Sequence, residues 1–197
     1  MNVAQYIRAS RTARVSAAVL CTAALAACGG HRAGDAGDAR PSAATTSFTE
    51  QGVTVTLTVS EWHGSTGTLS AVFAPERKGF HLYSTDLPAD GVEGVGRPTA
   101  ISVSGAVKAD GRPAASADVR SITVPGVEAP VPVYPDGPVT LTLPVRADGD
   151  GGGDRGGEAT VLLGYASCSA QDGCTIPVSG HPVHLNVTAD GATFSPR

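Results

Sequence analysis

Val53-Thr54-Val55-Thr56-Leu57-Thr58-Val59-Ser60 makes every second residue apolar and every other one hydroxylated. Side chains repeating with period two fall on opposite faces of an extended chain, and β-branched residues favour that conformation. The run therefore predicts a half-buried strand. Its neighbours repeat the signal. Gly64-Ser65-Thr66-Gly67 supplies a turn and Thr68-Leu69-Ser70-Ala71-Val72-Phe73 a returning strand. Pro75 to Lys78 forms a charged turn before Gly79-Phe80-His81-Leu82-Tyr83. Ala100 to Val107 and Val139 to Leu143 alternate again, and Val119 to Val124 predicts a further short strand. Pro125 to Pro138 holds five prolines, which cannot donate to a ladder, so it is no central strand. About eight short antiparallel strands with turns between them, and no helical period, predict an all-β chain folded as a β-sandwich.

Outward from this core, the N-terminus reads as an export signal. Arg8, Arg11 and Arg14 precede an apolar stretch from Val15 to Ala27, shorter than the roughly 20 residues a membrane-spanning helix needs. It ends in Leu25-Ala26-Ala27-Cys28-Gly29, which looks like a bacterial lipobox, the alternative being an ordinary secretory signal with a chance cysteine. The expected organisation is a lipoprotein signal peptide over 1–27, a lipid-anchored flexible tether over 28–46 and a single β-domain over 47–197. Cys28 would carry the lipid, placing the protein on the extracytoplasmic face of the bacterial cell membrane. The tether follows from the Gly, Ala, Asp and Ser of 31–46, which show no apolar period.

Composition narrows the function. The net charge of −4, with no basic stripe, excludes nucleic acid as the expected partner. The spaced aspartates of Asp148 to Gly157 miss the calcium-loop pattern, since positions five and twelve are Gly152 and Ala159, so a solvated hairpin loop is expected there. His181 and His184 lie three apart, and side chains at that spacing leave opposite faces of a strand, so no metal site or cofactor is expected. Trp62, flanked by turn residues, is expected as a core or edge residue.

The cysteines carry the chemistry. Cys21 leaves with the signal and Cys28 is consumed by lipid, which leaves Cys168 and Cys174. An even pair in an exported protein points to a disulfide. The pair sits in Gly164-Tyr165-Ala166-Ser167-Cys168-Ser169-Ala170-Gln171-Asp172-Gly173-Cys174-Thr175-Ile176-Pro177, between one apolar strand and another, with turn residues inside it. A bond closing so short a loop adds only about 2–2.5 kcal/mol by loop-closure entropy. By spacing alone the pair fits equally a fixed disulfide in a lipid-anchored binding module and a disulfide that is made and broken.

Tyr165-x-x-Cys168-x5-Cys174-x-x-Pro177 resembles the cysteine hairpin of the N-terminal periplasmic domain of the thiol:disulfide interchange protein DsbD. Gly79-Phe80-His81-Leu82-Tyr83 and Tyr134-x-Asp136, leading into Leu141-Thr142-Leu143-Pro144-Val145, match that family in the same order, over about residues 47–190. The resemblance implies an immunoglobulin-like sandwich and a redox-active pair. That pair would accept electrons from thioredoxin-like proteins, and a membrane electron-transfer protein would supply them for disulfide-bearing clients. It casts Cys174 as the exchange cysteine and Cys168 as its resolving partner. Tyr83, Phe80 and Tyr165 would lie at the partner-binding groove. The family shields its disulfide with an aromatic-bearing loop, whereas Pro113 to Val133 here holds no aromatic residue. Either Pro130-Val131-Pro132 makes a stiffer apolar lid or the disulfide is open. The family's membrane and thioredoxin-like domains have no counterpart in this sequence, so separate proteins are expected to supply the electrons.

Overall fold

A computed structural model of the protein describes residues 43–148, 156–188 and 191–195. The expected signal peptide, Cys28, most of the tether and the glycine-rich insert at 149–155 lie outside the described residues. Among those described there is no helix, and the chain is an immunoglobulin-like β-sandwich.

The first sheet runs in the order β1 (Ala44–Glu50), β2 (Val53–His63), β3 (Thr66–Pro75), β10 (Val139–Ala147) and β6 (Val107–Ala109). The short β7 (Ala114–Ala115) also pairs with β10. The facing sheet runs β15 (Gly191–Phe194), β14 (Val178–Thr188), β11 (Gly157–Tyr165) and β5 (Ala100–Gly105). Every pairing is antiparallel.

The alternation read in the sequence is the division between core and surface. Val53, Val55, Leu57 and Val59 are buried, while the threonines between them face outward. They meet Leu69, Ala71 and Phe73 of β3, Leu141 and Leu143 of β10, and Val161, Leu163, Val183 and Leu185 from the other sheet in one continuous core. Each fully buried leucine contributes about 1.5–3 kcal/mol of transfer free energy. Trp62 belongs to this core, 5% exposed, with its ring laid over Gly67, where a Cβ would fall 2.4 Å from Cε3.

The tether ends earlier than expected, because β1 begins at Ala44. Only Phe48 of this strand is buried, so apolar alternation could not announce it. Cross-strand hydroxyl pairs accompany it instead: Thr45 with Thr58 at 3.3 Å, Ser47 with Thr56 at 3.2 Å and Thr49 with Thr54 at 2.8 Å. The run expected over 100–107 also divides. β5 pairs in one sheet and β6 in the other, and the chain crosses between them at Gly105, whose φ is 84°.

The remaining strands are short and gather at one end of the sandwich. β13 (Gly173–Cys174), β12 (Ser167–Ser169) and β4 (His81–Leu82) form a three-stranded sheet, and β8 (Arg120–Ile122) pairs with β9 (Val131–Val133). The proline-rich 125–138 segment, expected to hold no central strand, supplies β9, which pairs with the surface strand β8 on one side and is bridged at Val133 to Tyr83 on the other, so it is flanked on both sides. A bridge between Tyr83 and Val133, with Ser84 N–H donating to the Pro132 carbonyl and Tyr134 N–H to that of Leu82, fastens the two small sheets together. This end carries the cysteines.

Candidate functional site

The chain leaves the main sheet at Tyr165 and runs directly into β12, so the cysteine hairpin is the tip of the β11–β14 hairpin. Cys168 and Cys174 face each other in register and are joined by a disulfide. Thr175 N–H donates to the Ser167 carbonyl at 2.8 Å, and Ser167 N–H donates to Thr175 Oγ1 at 3.2 Å, so hydrogen bonds hold the hairpin as well as the covalent bond. In the turn, Ser169 Oγ accepts from Gln171 N–H, and Gly173 adopts a φ of 78° that glycine takes without penalty. A Cβ at Gly173 would meet nothing within 4 Å, so the flank of Cys174 is open space.

The two sulfurs occupy different environments. Cys168 is 4% exposed, whereas Cys174 is exposed, as are Ile176 and Pro177 beyond it. Ile176, at 69%, is a large apolar side chain in water two residues from the accessible sulfur.

Cys168 packs in a small second core with Tyr83, Leu87, Val131, Val133 and Ala166, overlaid by Val92, Ile122, Val124 and Val127. Valines from the proline-rich segment thus cover Cys168 where the sequence holds no aromatic residue. The cover is one-sided and leaves Cys174 open. Glu93 Oε1 accepts the N–H groups of Glu128 and Ala129, which ties the 84–99 loop to this cover.

Tyr83 is fixed at three points. Its carbonyl accepts from Thr99 N–H and Thr99 Oγ1–H. Its ring packs against Gly96, where a Cβ would lie 2.6 Å from Cε1. Its hydroxyl lies 2.9 Å from Cys168 Sγ and 3.7 Å from Cys174 Sγ. A disulfide sulfur carries no hydrogen, so the tyrosine is the donor. Burial raises the phenol's pKa, so it stays protonated and able to donate.

His81, on β4, is the register partner of Cys168 on β12. It is two residues from Tyr83 on the same face, and the rings meet edge to face with centroids 6.0 Å apart. Nδ1 is 3.7 Å from the Asp136 carboxylate, while buried Nε2 has no partner among the described residues. Burial lowers the imidazole's pKa, and Asp136 opposes that shift. An unpaired buried polar atom costs about 1–3 kcal/mol.

Of the residues expected at the site, the structure brings together Cys168, Cys174 and Tyr83. Phe80 is buried, with the Arg77 guanidinium 4.0 Å above its ring. Tyr165 belongs to the main core, edge-on to Phe73, with its hydroxyl donating to the Glu50 carbonyl at 3.2 Å. Phe80 and Tyr165 therefore offer no surface to a partner in this form. Tyr134 is likewise buried, its hydroxyl contacted by Thr85 N–H and Oγ1. His181 and His184 take separate partners, Glu50 at 2.6 Å and Thr160 at 3.3 Å. Sequence reading missed His81 and Ile176. The i, i+2 spacing of His81 and Tyr83 was the available signal for the first. Nothing in the sequence distinguished exposed Ile176 from a core residue.

No protein-family model and no curated protein matches the chain. Among solved structures it is similar to the N-terminal domain of DsbD from Neisseria meningitidis in the reduced form. Identity is 14% and the TM-score 0.43, covering 75% of this chain and 93% of that one. It is also similar to the GAE domain of GGA2p from Saccharomyces cerevisiae, at 9% identity and TM-score 0.30, covering 69% of this chain and 96% of that one.

Proposed function

We propose that this protein is an extracytoplasmic thiol–disulfide exchange protein that passes electrons through Cys168 and Cys174. The observation that carries the reading is the asymmetry of the pair: an open sulfur on Cys174 bonded to a covered one on Cys168 that receives the Tyr83 hydroxyl. The ordered sequence blocks resembling the interchange-protein domain support it.

The exchange is a sequence of sulfur displacements. A thiolate of a thioredoxin-like partner attacks Cys174 Sγ, and Cys168 leaves with the electron pair, its thiolate stabilised by the Tyr83 O–H. The partner's second thiolate then attacks the mixed disulfide and frees Cys174. The partner is now oxidised and the pair reduced. Cys174 next attacks a client disulfide, and Cys168 resolves that intermediate, reducing the client and restoring the bond. Ile176 and Pro177 give the incoming partner an apolar foothold beside the reacting sulfur.

The test is trapping. Cys168→Ala, incubated with a thioredoxin-like protein that lacks its own resolving cysteine and carries thionitrobenzoate on the remaining one, should accumulate a mixed disulfide as Cys174 displaces the thionitrobenzoate thiolate, and Cys174→Ala should accumulate far less. Equal trapping removes the division of roles. No trapping with several partners, together with a reduction potential below about −300 mV, would make the bond an inert structural one in a lipid-anchored binding module. We also propose that Cys28 carries the lipid, which would hold the domain on the membrane beside its electron donor. Cys28→Ala should then release the chain from membranes or block its processing, and a mutant that fractionates like the parent would refute this.

A further inference from the structure

The exchange cycle leaves one buried group without a task. His81 Nε2 is solvent-inaccessible and has no partner among the described residues, on a side chain whose register partner is Cys168. Directly facing residues of an antiparallel pair project to the same side, with Cβ atoms about 4.5–5.5 Å apart. Asp136 can only accept, so the ring proton belongs on Nδ1 facing it, and Nε2 presents a lone pair to the interior. In the oxidised protein nothing meets that lone pair, because neither sulfur has a hydrogen. Reduction creates one. The groups facing His81 are Asp136 from the turn after Tyr134, Tyr83 two residues along the chain, Cys168 from β12 and, beyond it, Cys174 from β13. Of these, Cys168 gains a dissociable proton inside the covered part of the site.

We infer that His81 is the proton acceptor for Cys168 in the reduced protein. The inference rests on the exchange reading and assigns the proton in its resolving step. With Cys174 held in a mixed disulfide to a client, the Cys168 thiol gives its proton to His81 Nε2. The Cys168 thiolate attacks Cys174 Sγ, and the Cys174–client bond breaks with its electron pair leaving on the client sulfur. That sulfur takes up a proton from the imidazolium or from water. Two cysteine thiols are oxidised to the disulfide, and the client disulfide is reduced to two thiols. Desolvation keeps the imidazole neutral before the step and so ready to accept. Tyr83 plays a different part, donating to the sulfur without taking its proton.

The experiment follows the His81 Cε1 proton by NMR against pH in the full chain, with the disulfide intact and after chemical reduction, in the parent, Cys174→Ala and Cys168→Ala. The signal is identified by its loss in His81→Gln or, should that variant not fold, by its proximity to the Tyr83 ring. Reduction should raise the proton affinity of His81 at least tenfold, one pH unit, in the parent. Reduced Cys174→Ala, which keeps the Cys168 thiol, should show the same raised value, and Cys168→Ala should retain that of the oxidised parent. An equal rise in Cys168→Ala would mean that opening the hairpin merely hydrates His81, and would overturn the inference, as would no rise in the parent. A chemical reductant needs no partner, so the outcomes separate. Trapping without the shift removes the role of His81 and leaves exchange standing, whereas the shift without trapping removes exchange and leaves the proton coupling.

Discussion

Reducing the Cys168–Cys174 bond should loosen the protein without unfolding it. The bond spans six positions in sequence, closing a loop of seven residues. The loop-closure relation gives an entropy of about −8 cal/mol/K for such a loop, so its loss costs about 2.4 kcal/mol at 25 °C. The site limits the damage in two ways. Three hydrogen bonds between Ser167 and Thr175 still join the hairpin, and Cys168 packs in the second core while the main core continues without it. For a domain of this size each kcal/mol moves the melting temperature by about 2–4 °C, so reduction should lower it by about 5–10 °C. Trp62, buried in the main core, reports on the sandwich directly. Urea titrations followed by its fluorescence, with and without a phosphine reductant, should give parallel transitions displaced by that free energy. Native emission should persist in the reduced protein at zero denaturant. Loss of that emission on reduction alone would refute the argument, because the disulfide would then hold the fold itself. A displacement under about 0.5 kcal/mol would refute the loop-closure estimate instead.

Tyr83→Phe removes the donor to the leaving sulfur while keeping the ring, and should slow reduction by dithiothreitol about tenfold, the kinetic equivalent of a hydrogen bond worth about 1.4 kcal/mol; an unchanged rate would show that the hydroxyl does not stabilise the thiolate. Gly96→Ala should destabilise the domain by more than about 1 kcal/mol, because it combines a φ of 85° with a Cβ driven into the Tyr83 ring. Gly94→Ala, with φ 84° and open space, measures the backbone cost alone, so equal losses in the two would show that packing on Tyr83 is immaterial. His81 also sets a pH dependence. Its folded pKa lies below 6.5, so the unfolded chain binds more protons between the two values. Stability of the oxidised protein should therefore fall as pH drops below about 6.5, and His81→Gln should flatten that part of the profile in urea titrations at stepped pH. An unchanged slope would show that His81 titrates alike in both states.

Much of the fold was legible because it rests on local information. The period-two runs at 53–60, 68–73 and 139–143 place apolar side chains on one face whatever the strands later pair with, which was enough for an all-β sandwich. Turn residues between Cys168 and Cys174 were enough for a hairpin tip, since the chain is committed to reversing there. Strand β1 escaped because its sheet hydrogen bonds and hydroxyl pairs leave no apolar period, and the division at Gly105 escaped because alternation does not say which sheet a strand joins. Which aromatic residues reach the sulfurs was decided by tertiary structure. Phe80, Tyr83 and Tyr165 look alike in sequence. Tyr83 is turned to the disulfide by the contacts of Thr99 and Gly96, while Tyr165 closes the β11–β14 ladder opposite Val178, inside the main core. The difference between the two cysteines was legible in part, because Cys168 ends an apolar strand and Cys174 follows Gly173, which leaves room beside it. What covers Cys168 was not: Val131 and Val133 reach it from a distant segment, while Cys174 stays in water. Burial is a sum over neighbours brought together by folding, and a chain position alone does not contain it.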